Sequence, residues 1–399
     1  MQPKLSNRST KVLASPLRKF LPAMLKTESK GIEVLKLNVG DPDIKPPTSF
    51  LESVKKYSQP NIGYAPSPGI IKHTQAWSRY FASVGLKVKA EQIIPTIGCA
   101  EAMLMSLLAT TDPGDEVLVF EPLYTSYKGF AAMINIKLVP VTLKMENNFA
   151  LPKANEITKK ITPKTKAILL INPNNPTGTV FSKKELGTIV KLAIEHGLFI
   201  LSDETYREIV FDTKPTSLLQ FPQAQENLIV LDSASKRFSL PGARIGALIT
   251  KNQTIREALL RLAMVRLSAP TLEQYGLIPI LEKPQAYTKK ITAEYQRRRD
   301  LVIKGLNKIP GVTCLVPQGA FYLIAKLPIA DAENFVKFMI NDFSYQGQTV
   351  LVAPASEFYI TPNTGKNQIR IAYVLNTTKL NRATTILAKG LAAYQNANK

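Results

Sequence analysis

Leu228-Ile229-Val230-Leu231-Asp232-Ser233-Ala234-Ser235-Lys236-Arg237-Phe238, followed by Leu240-Pro241-Gly242-Ala243-Arg244-Ile245-Gly246, is the most informative stretch of this 399-residue chain. Its first four residues are apolar without alternation, the pattern of a short strand buried on both faces. A second run of the same kind, Ile245–Ile249, follows it. Between the two lie two hydroxyls, a lysine and, eight residues beyond the lysine, an arginine. Ser233, Ser235 and Arg244 suit a phosphate, the guanidinium giving paired hydrogen bonds. Lys236 then stands beside that phosphate, where a lysine that loses its proton can form an imine with an aldehyde. Taken alone, a solvated surface lysine fits the same letters.

Working outward, apolar runs recur at Ile93–Ile97, Val117–Phe120, Lys137–Val141, Ala167–Ile171 and Leu198–Leu201, with helical patterns between them. Ser182-Lys183-Lys184-Glu185 reads as a capping box. Leu186, Ile189, Val190, Ala193 and Ile194 continue at helical spacing, and Gly197 ends the run. This alternation predicts an α/β domain with a mainly parallel sheet, which binds ligands at the carboxyl ends of its strands. Upstream, residues 1–30 are polar and basic, and Val34–Val39 is strand-like. Downstream, Thr271–Leu306 reads as long helix interrupted near Pro284. The remainder mixes strand-like pieces (Ala320–Ala325, Thr349–Val352, Gln368–Val374) with helices, as a second, smaller α+β domain does. The expected division is an N-terminal arm and start of the small domain at 1–40, a large domain at 41–285 and a small C-terminal domain at 286–399.

The residues just past each run are therefore the ones to inspect. Gly98-Cys99-Ala100 opens a helix, whose free N–H groups and dipole favour an anion; an ordinary strand-to-helix turn reads the same way. Tyr124, after Val117–Phe120, can stack on a flat ring or simply pack. Asn172-Pro173-Asn174-Asn175-Pro176-Thr177-Gly178 makes a tight turn rich in side-chain amides. Ser202-Asp203-Glu204-Thr205-Tyr206 places a carboxylate at a buried strand end, costly unless paired. It serves as a helix cap or as the partner of a cationic ligand atom.

Composition narrows the classes. Hydrophobic residues make up 45% and charged residues 20%, which excludes a mainly disordered chain. Apolar runs are too short to span a bilayer, so no membrane partner is expected. Val12-Leu13-Ala14 is broken by Ser15-Pro16, which leaves no apolar core of signal-peptide length. Cys99 and Cys314 are the two cysteines and make no disulfide framework; a reducing, cytoplasmic compartment is the expectation. Two His and two Cys, far apart, predict no metal site. The 51 Lys+Arg against 30 Asp+Glu give +21, which invites a nucleic-acid partner. The basic residues are spread, however, and no helix-turn-helix, zinc-finger or RNA-binding signature accompanies them. Arg297-Arg298-Arg299 reads as a solvated face or a domain contact. No nucleic acid is expected; anionic small molecules benefit from the same field.

Together these residues resemble the fold-type I pyridoxal phosphate (PLP) enzymes, specifically the class I/II aminotransferases. The match runs from Val39-Gly40-Asp41-Pro42 to Arg370. The Asn-Pro-Asn-Asn-Pro-Thr-Gly turn, the Ser-Asp-Glu-x-Tyr strand end and the Ser-x-Ser-Lys…Arg segment stand in the family's order and spacing. The resemblance implies an α/β large domain with a mainly parallel seven-stranded sheet plus a smaller α+β domain, and pyridoxal 5'-phosphate as cofactor. It implies that Lys236 carries the internal aldimine and that Asp203 pairs with the pyridine nitrogen, keeping the ring an electron sink. Tyr206 and Asn175 would bond the ring's phenolic oxygen and Tyr124 would stack on the ring. Gly98, Cys99, Ala100, Ser233, Ser235 and Arg244 would hold the phosphate. Tyr64 matches a tyrosine that reaches the neighbouring subunit's phosphate, which implies a homodimer. Arg370 matches the arginine that grips the substrate α-carboxylate, with Gly40 and Asn175 beside it. Pro122 and Pro176 are expected in cis.

The activity so implied is transfer of the amino group of an L-amino acid to a 2-oxo acid with ping-pong kinetics. Lys236 acts as base and then acid, its pKa depressed by burial. The expected pairs are 2-oxoglutarate/glutamate with aspartate, alanine or an aromatic amino acid. The chain departs from the family in two places. Ala243 stands where a Trp often precedes the phosphate arginine. Ala100 stands where the bacterial aspartate-specific branch commonly has a lysine for the distal carboxylate, which leaves Arg18 in the N-terminal arm as one positive residue for a dicarboxylate. A C–S β-lyase or other PLP enzyme of the same frame, and a non-catalytic regulatory module, are the alternative readings.

Overall fold

The computed structural model describes residues 3–12 and 15–398. Leu13 and Ala14, part of the N-terminal apolar patch considered above, lie outside them.

The seven apolar runs become the seven strands of one sheet. They are β1 (Ile93–Thr96), β2 (Glu116–Glu121), β3 (Lys137–Thr142), β4 (Thr165–Ile171), β5 (Phe199–Asp203), β6 (Leu228–Ser233) and β7 (Gly246–Ile249). Their order is β1-β7-β6-β5-β4-β2-β3. All neighbours are parallel except β7, which runs antiparallel to both β1 and β6. Alternate residues explain the unbroken apolar runs. Leu118, Phe120, Ile168, Leu170, Ile200 and Val230 join one core, while Val117, Val119, Leu169, Leu201, Ile229 and Leu231 join another on the opposite face. Both faces are covered, so both parities must be apolar. Each such side chain contributes roughly 2 kcal/mol on burial.

A third core serves the rest of the chain. It packs around a four-stranded antiparallel sheet in the order Ala353–Pro354, Gln368–Ala372, Tyr322–Lys326, Thr313–Cys314. Glu33–Lys36 pairs in parallel with Gln348–Leu351. The long helical stretch divides as read, into Thr271–Glu282 and Gln285–Leu306. Ser182 caps the Lys183–Glu195 helix: its Oγ accepts from Glu185 N at 3.2 Å, and Glu185 Oε2 accepts from Ser182 N at 2.8 Å. The arginine run is split. Arg297 is solvated, whereas Arg298 and Arg299 are buried and pair with Asp43 and Asp212 of other segments. Among the described residues no helix is long and apolar enough to cross a membrane.

One expectation is corrected. The cis bonds are Glu121–Pro122 and Asn172–Pro173, so Pro122 is as expected but Pro176 is not cis. The chain leaves the sheet at Asn172, whose N–H still bonds Asp203 O at 3.0 Å. The first Asn-Pro pair therefore makes the sharp exit. The second lies inside the turn that Asn174 closes by accepting from Thr177 N and Oγ1.

Candidate active site

A cavity of about 660 Å³ opens at the carboxyl ends of the central strands. Of the residues read from the sequence, Gly40, Cys99, Ala100, Tyr124, Asn175, Asp203, Tyr206, Ser233, Ser235, Lys236, Arg244 and Arg370 all line it, with Arg18. Gly98 stands just behind, where an added Cβ would lie 2.8 Å from Arg244 Nη2. Tyr64 is not brought to this cavity; it projects outward, 83% exposed.

Lys236 lies in a short turn of helix, Ala234–Arg237, that β6 feeds directly. Its Nζ donates to Gly40 O at 2.7 Å. An added Cβ at Gly40 would run into the Tyr322 hydroxyl, so this approach requires glycine. Burial pulls the Lys236 pKa down to about 8; Asp41 opposes that pull, and Arg370 and Arg244 add to it. The sign follows from charge. Asp41→Asn removes the one carboxylate favouring the ammonium form, so the neutral amine appears at lower pH. The rate at which apoprotein captures pyridoxal phosphate, followed by stopped-flow absorbance, is expected to rise through a midpoint near pH 8 in the wild type. Asp41→Asn should move that midpoint down. An upward shift would contradict the arrangement.

Asp203 closes β5. Its Oδ2 accepts from Tyr127 Oη at 2.7 Å and from Cys99 Sγ at 3.4 Å, and its Oδ1 accepts from Thr205 N at 3.0 Å. Burial, with the Asp203 charge beside them, holds both the Tyr127 hydroxyl and the Cys99 thiol well above their usual pKa ranges. Both therefore stay protonated and donate to the carboxylate, which is fixed as an acceptor for a cationic ring nitrogen. Tyr206 Oη lies 3.0 Å from Tyr322 Oη. Burial raises both, Tyr322 to about 12 even with Arg370 beside it.

At the other end, Ser233 Oγ caps the Ala234–Arg237 turn, accepting from Ser235 N at 3.0 Å and donating to Ser235 Oγ at 2.7 Å. Arg244, at φ +50°, donates to two carbonyls, Pro241 O at 2.8 Å and Ile97 O at 3.4 Å. The Gly98–Thr110 helix starts beside it, with Gly98 at φ +69°. Two hydroxyls, a helix N-terminus and a guanidinium with no carboxylate partner among the described residues form a cradle for a phosphate.

Arg370 lies on the Gln368–Ala372 strand and is 1% exposed. Nη1 donates to Asn175 Oδ1 at 3.1 Å, Nη2 to Asn38 O, and Nε has no partner among the described residues. The rings of Tyr322 and Phe358 cover it at 4.5 and 4.8 Å. A buried cation without an anion is expensive, so Arg370 is suited to receive an anionic group. Phosphate cradle, fixed carboxylate and depressed-pKa lysine are together what PLP requires, so the residues present fit that cofactor.

Sequence reading missed Tyr127, Thr205, Tyr322, Asp41 and Asn38. Tyr127 left no clear trace: Tyr124 precedes the Ser126–Ile134 helix and Tyr127 lies in its first turn, and the two rings meet edge to face at the cavity wall only in the fold. Tyr322 and Asn38 left none: Tyr322 reaches the cavity, and Asn38 O reaches Arg370, only when the second sheet packs against the first.

A parallel-sheet fold with this lysine, carboxylate and phosphate cradle at its strand ends defines a PLP-dependent enzyme of fold type I. The profile of aminotransferase class I and II matches residues 32–387, and the chain belongs to that family of PLP-dependent transaminases. It is 32% identical to aromatic-amino-acid aminotransferase 2 of Thermococcus litoralis over 97% of this chain and 98% of that one. It is 30% identical to aspartate aminotransferase of Pyrococcus horikoshii, over 94% and 95% respectively. The solved structure of alanine aminotransferase from Pyrococcus furiosus superposes with a TM-score of 0.88 at 30% identity, covering 98% of this chain and all of that one.

Proposed function

We propose that this aminotransferase works between a dicarboxylic pair, 2-oxoglutarate and glutamate, and a second amino acid with an uncharged or acidic side chain. The observation behind this is a charge inventory. Four cations line the cavity, Arg18, Lys236, Arg244 and Arg370, against two carboxylates, Asp41 and Asp203. Arg244 faces the phosphate cradle, Lys236 the aldehyde, and Arg370 the α-carboxylate. Arg18 is the cation left over. Its place is fixed from both sides. Leu17 O accepts from Asn38 Nδ2 at 3.0 Å, and Lys19 pairs with Glu333 and Glu357 at 2.8 and 2.7 Å. Asn38 O is also the acceptor of Arg370, so Asn38 ties the backbone next to Arg18 to the Arg370 guanidinium. Arg18→Gln is expected to lower kcat/KM for 2-oxoglutarate by about 30-fold, the worth of a charge-assisted contact. The value for pyruvate should stay within about two-fold. Equal losses for both acids would refute the dicarboxylate reading.

In the reaction, Arg370 and Asn175 would orient the α-carboxylate, and Tyr124 would cover the ring face. Asp203 would hold the ring nitrogen protonated, while Tyr206 and Asn175 would bond the phenolic oxygen. Gly98, Cys99, Ala100, Ser233, Ser235 and Arg244 would hold the phosphate. PLP, when bound, supplies the electron sink for charge that develops at the substrate Cα. Lys236 Nζ takes the α-proton and later returns a proton, a task suited to an amine whose pKa lies near neutrality.

The same reading makes the protein a cytoplasmic homodimer, divided at 1–40, 41–285 and 286–399, with Tyr64 reaching the partner's phosphate. Ile62, Ile71, Val265 and Leu267 are exposed around it by 65, 70, 85 and 52%. Thr271 Oγ1 donates to Gly63 O at 2.9 Å, and Ser67 Oγ donates to Leu267 O at 2.5 Å, which joins these segments into one surface. Such an exposed apolar patch supports a subunit contact.

A further inference from the structure

Beneath Lys236 lies a cluster of buried charges that the reaction does not use. Asp232 is its centre. Oδ1 accepts from Arg237 Nη2 and Oδ2 pairs with Arg207 Nη2, each at 2.8 Å. Arg207 Nη1 reaches Glu204 Oε2 at 3.1 Å, and Arg237 Nε reaches Glu208 Oε2 at 3.2 Å. Tyr80 Oη donates to Glu208 and accepts from Arg207 Nη2 at 3.0 Å. Asp232, Arg237, Glu204 and Arg207 are each no more than 3% exposed.

Well-packed apolar side chains in these places would stabilise the fold at least as well. The membership of the cluster suggests why charge is kept. Glu204, Arg207 and Glu208 belong to the segment after β5 that carries Asp203 and Tyr206. Asp232 and Arg237 bracket Ser233, Ser235 and Lys236. Asp232 Oδ1 also accepts from Ser233 N at 2.6 Å, so the cluster grips the serine backbone itself. Strand pairing links β5 to β6 only as far as Asp203 and Leu231. Beyond that, the ion pairs Arg207–Asp232 and Arg237–Glu208 join the two segments. We propose that Asp232, Arg207 and Arg237 form a positioning network that sets the lysine and serine segment against the carboxylate and tyrosine segment. Burial pushes Glu208 up to about 7 against the pull of Arg237.

The proposal rests on the assignment of these segments to PLP. The test is the affinity of the holoenzyme for pyridoxamine phosphate, formed in place with an amino donor and measured by equilibrium dialysis. This ligand needs the pocket's geometry but no bond to Lys236. Asp232→Asn keeps the shape and loses the charge. It is expected to weaken pyridoxamine phosphate by about ten-fold and to lower kcat by a similar factor, since small misplacements of reacting groups are costly. KM for the oxo acid should hold within about two-fold, because Arg370 sits on a strand with no bond to the network. An Asp232→Asn protein with lowered Tm but unchanged affinity and kcat would overturn the proposal. If that variant does not fold, Arg237→Lys decides, with affinity expected to fall about three-fold and an unchanged value refuting the network. Wild-type protein that fails to hold pyridoxamine phosphate refutes the cofactor assignment instead.

Discussion

Lys236→Ala is expected to lower kcat by about 10⁴-fold or more, the worth of a positioned proton-transfer group together with its covalent role. The structure isolates the effect. Lys236 Nζ makes one hydrogen bond, to Gly40 O, and its charge is disfavoured by burial. Deleting it breaks no ion pair, so folding should survive and Tm should change little. The phosphate cradle and Asp203 are untouched, so the variant should still hold pyridoxamine phosphate. Among the described residues no other lysine lines the cavity, and the remaining cations there are guanidiniums that do not deprotonate. Steady-state transamination assays on the purified variant, with cofactor content checked by absorbance, measure the loss. A small primary amine added to the buffer should restore part of the rate, because it supplies the missing base in the space left behind. Turnover within about ten-fold of wild type would remove Lys236 from the mechanism.

That lysine was legible in the sequence for a physical reason. Strands buried on both faces cannot alternate, so they stand out as apolar blocks, and all seven blocks became strands of the sheet. Ligands meet such sheets at the strand ends, so Asp203, Lys236 and the Asn172–Gly178 turn could be found by position alone. What stayed hidden was built by packing between the sheets. Tyr322 sits on Tyr322–Lys326 and Asn38 follows Glu33–Lys36, and neither residue type announces a site. Asp232 and Arg237 flank Lys236 in sequence, yet as letters they are ordinary charges. Their partners, Glu204, Arg207 and Glu208, are supplied by a neighbouring strand's exit loop. The cis bond that the family resemblance implies at Pro176 stands at Pro173 instead; as letters the two Asn-Pro pairs are equivalent, and the point at which the chain leaves β4 separates them.

Arg370→Gln should cost about 10³-fold in kcat/KM, and the loss should be the same for 2-oxoglutarate and for pyruvate. 2-Oxoglutarate and pyruvate share the α-carboxylate, whereas on the proposed reading only the dicarboxylate reaches Arg18, so the two arginines should have distinct signatures. The magnitude is that of removing one partner from a desolvated, hydrogen-bonded charge pair. The stability effect should run the other way. In the free protein this guanidinium is buried, has a carbonyl and an amide oxygen as acceptors, and has no carboxylate beside it. Burial lowers its pKa, which is to say that the fold works against the charge. Glutamine keeps a donor for Asn175 or Asn38 and removes that penalty, so the substrate-free variant should melt no lower than wild type. Most buried polar substitutions destabilise, which makes this sign diagnostic. Calorimetry on the substrate-free protein and kcat/KM for both oxo acids test the two halves together. Activity loss with a large drop in Tm would mean that Arg370 holds the fold and not the substrate, and a loss confined to 2-oxoglutarate would move it from the α-carboxylate to the distal one.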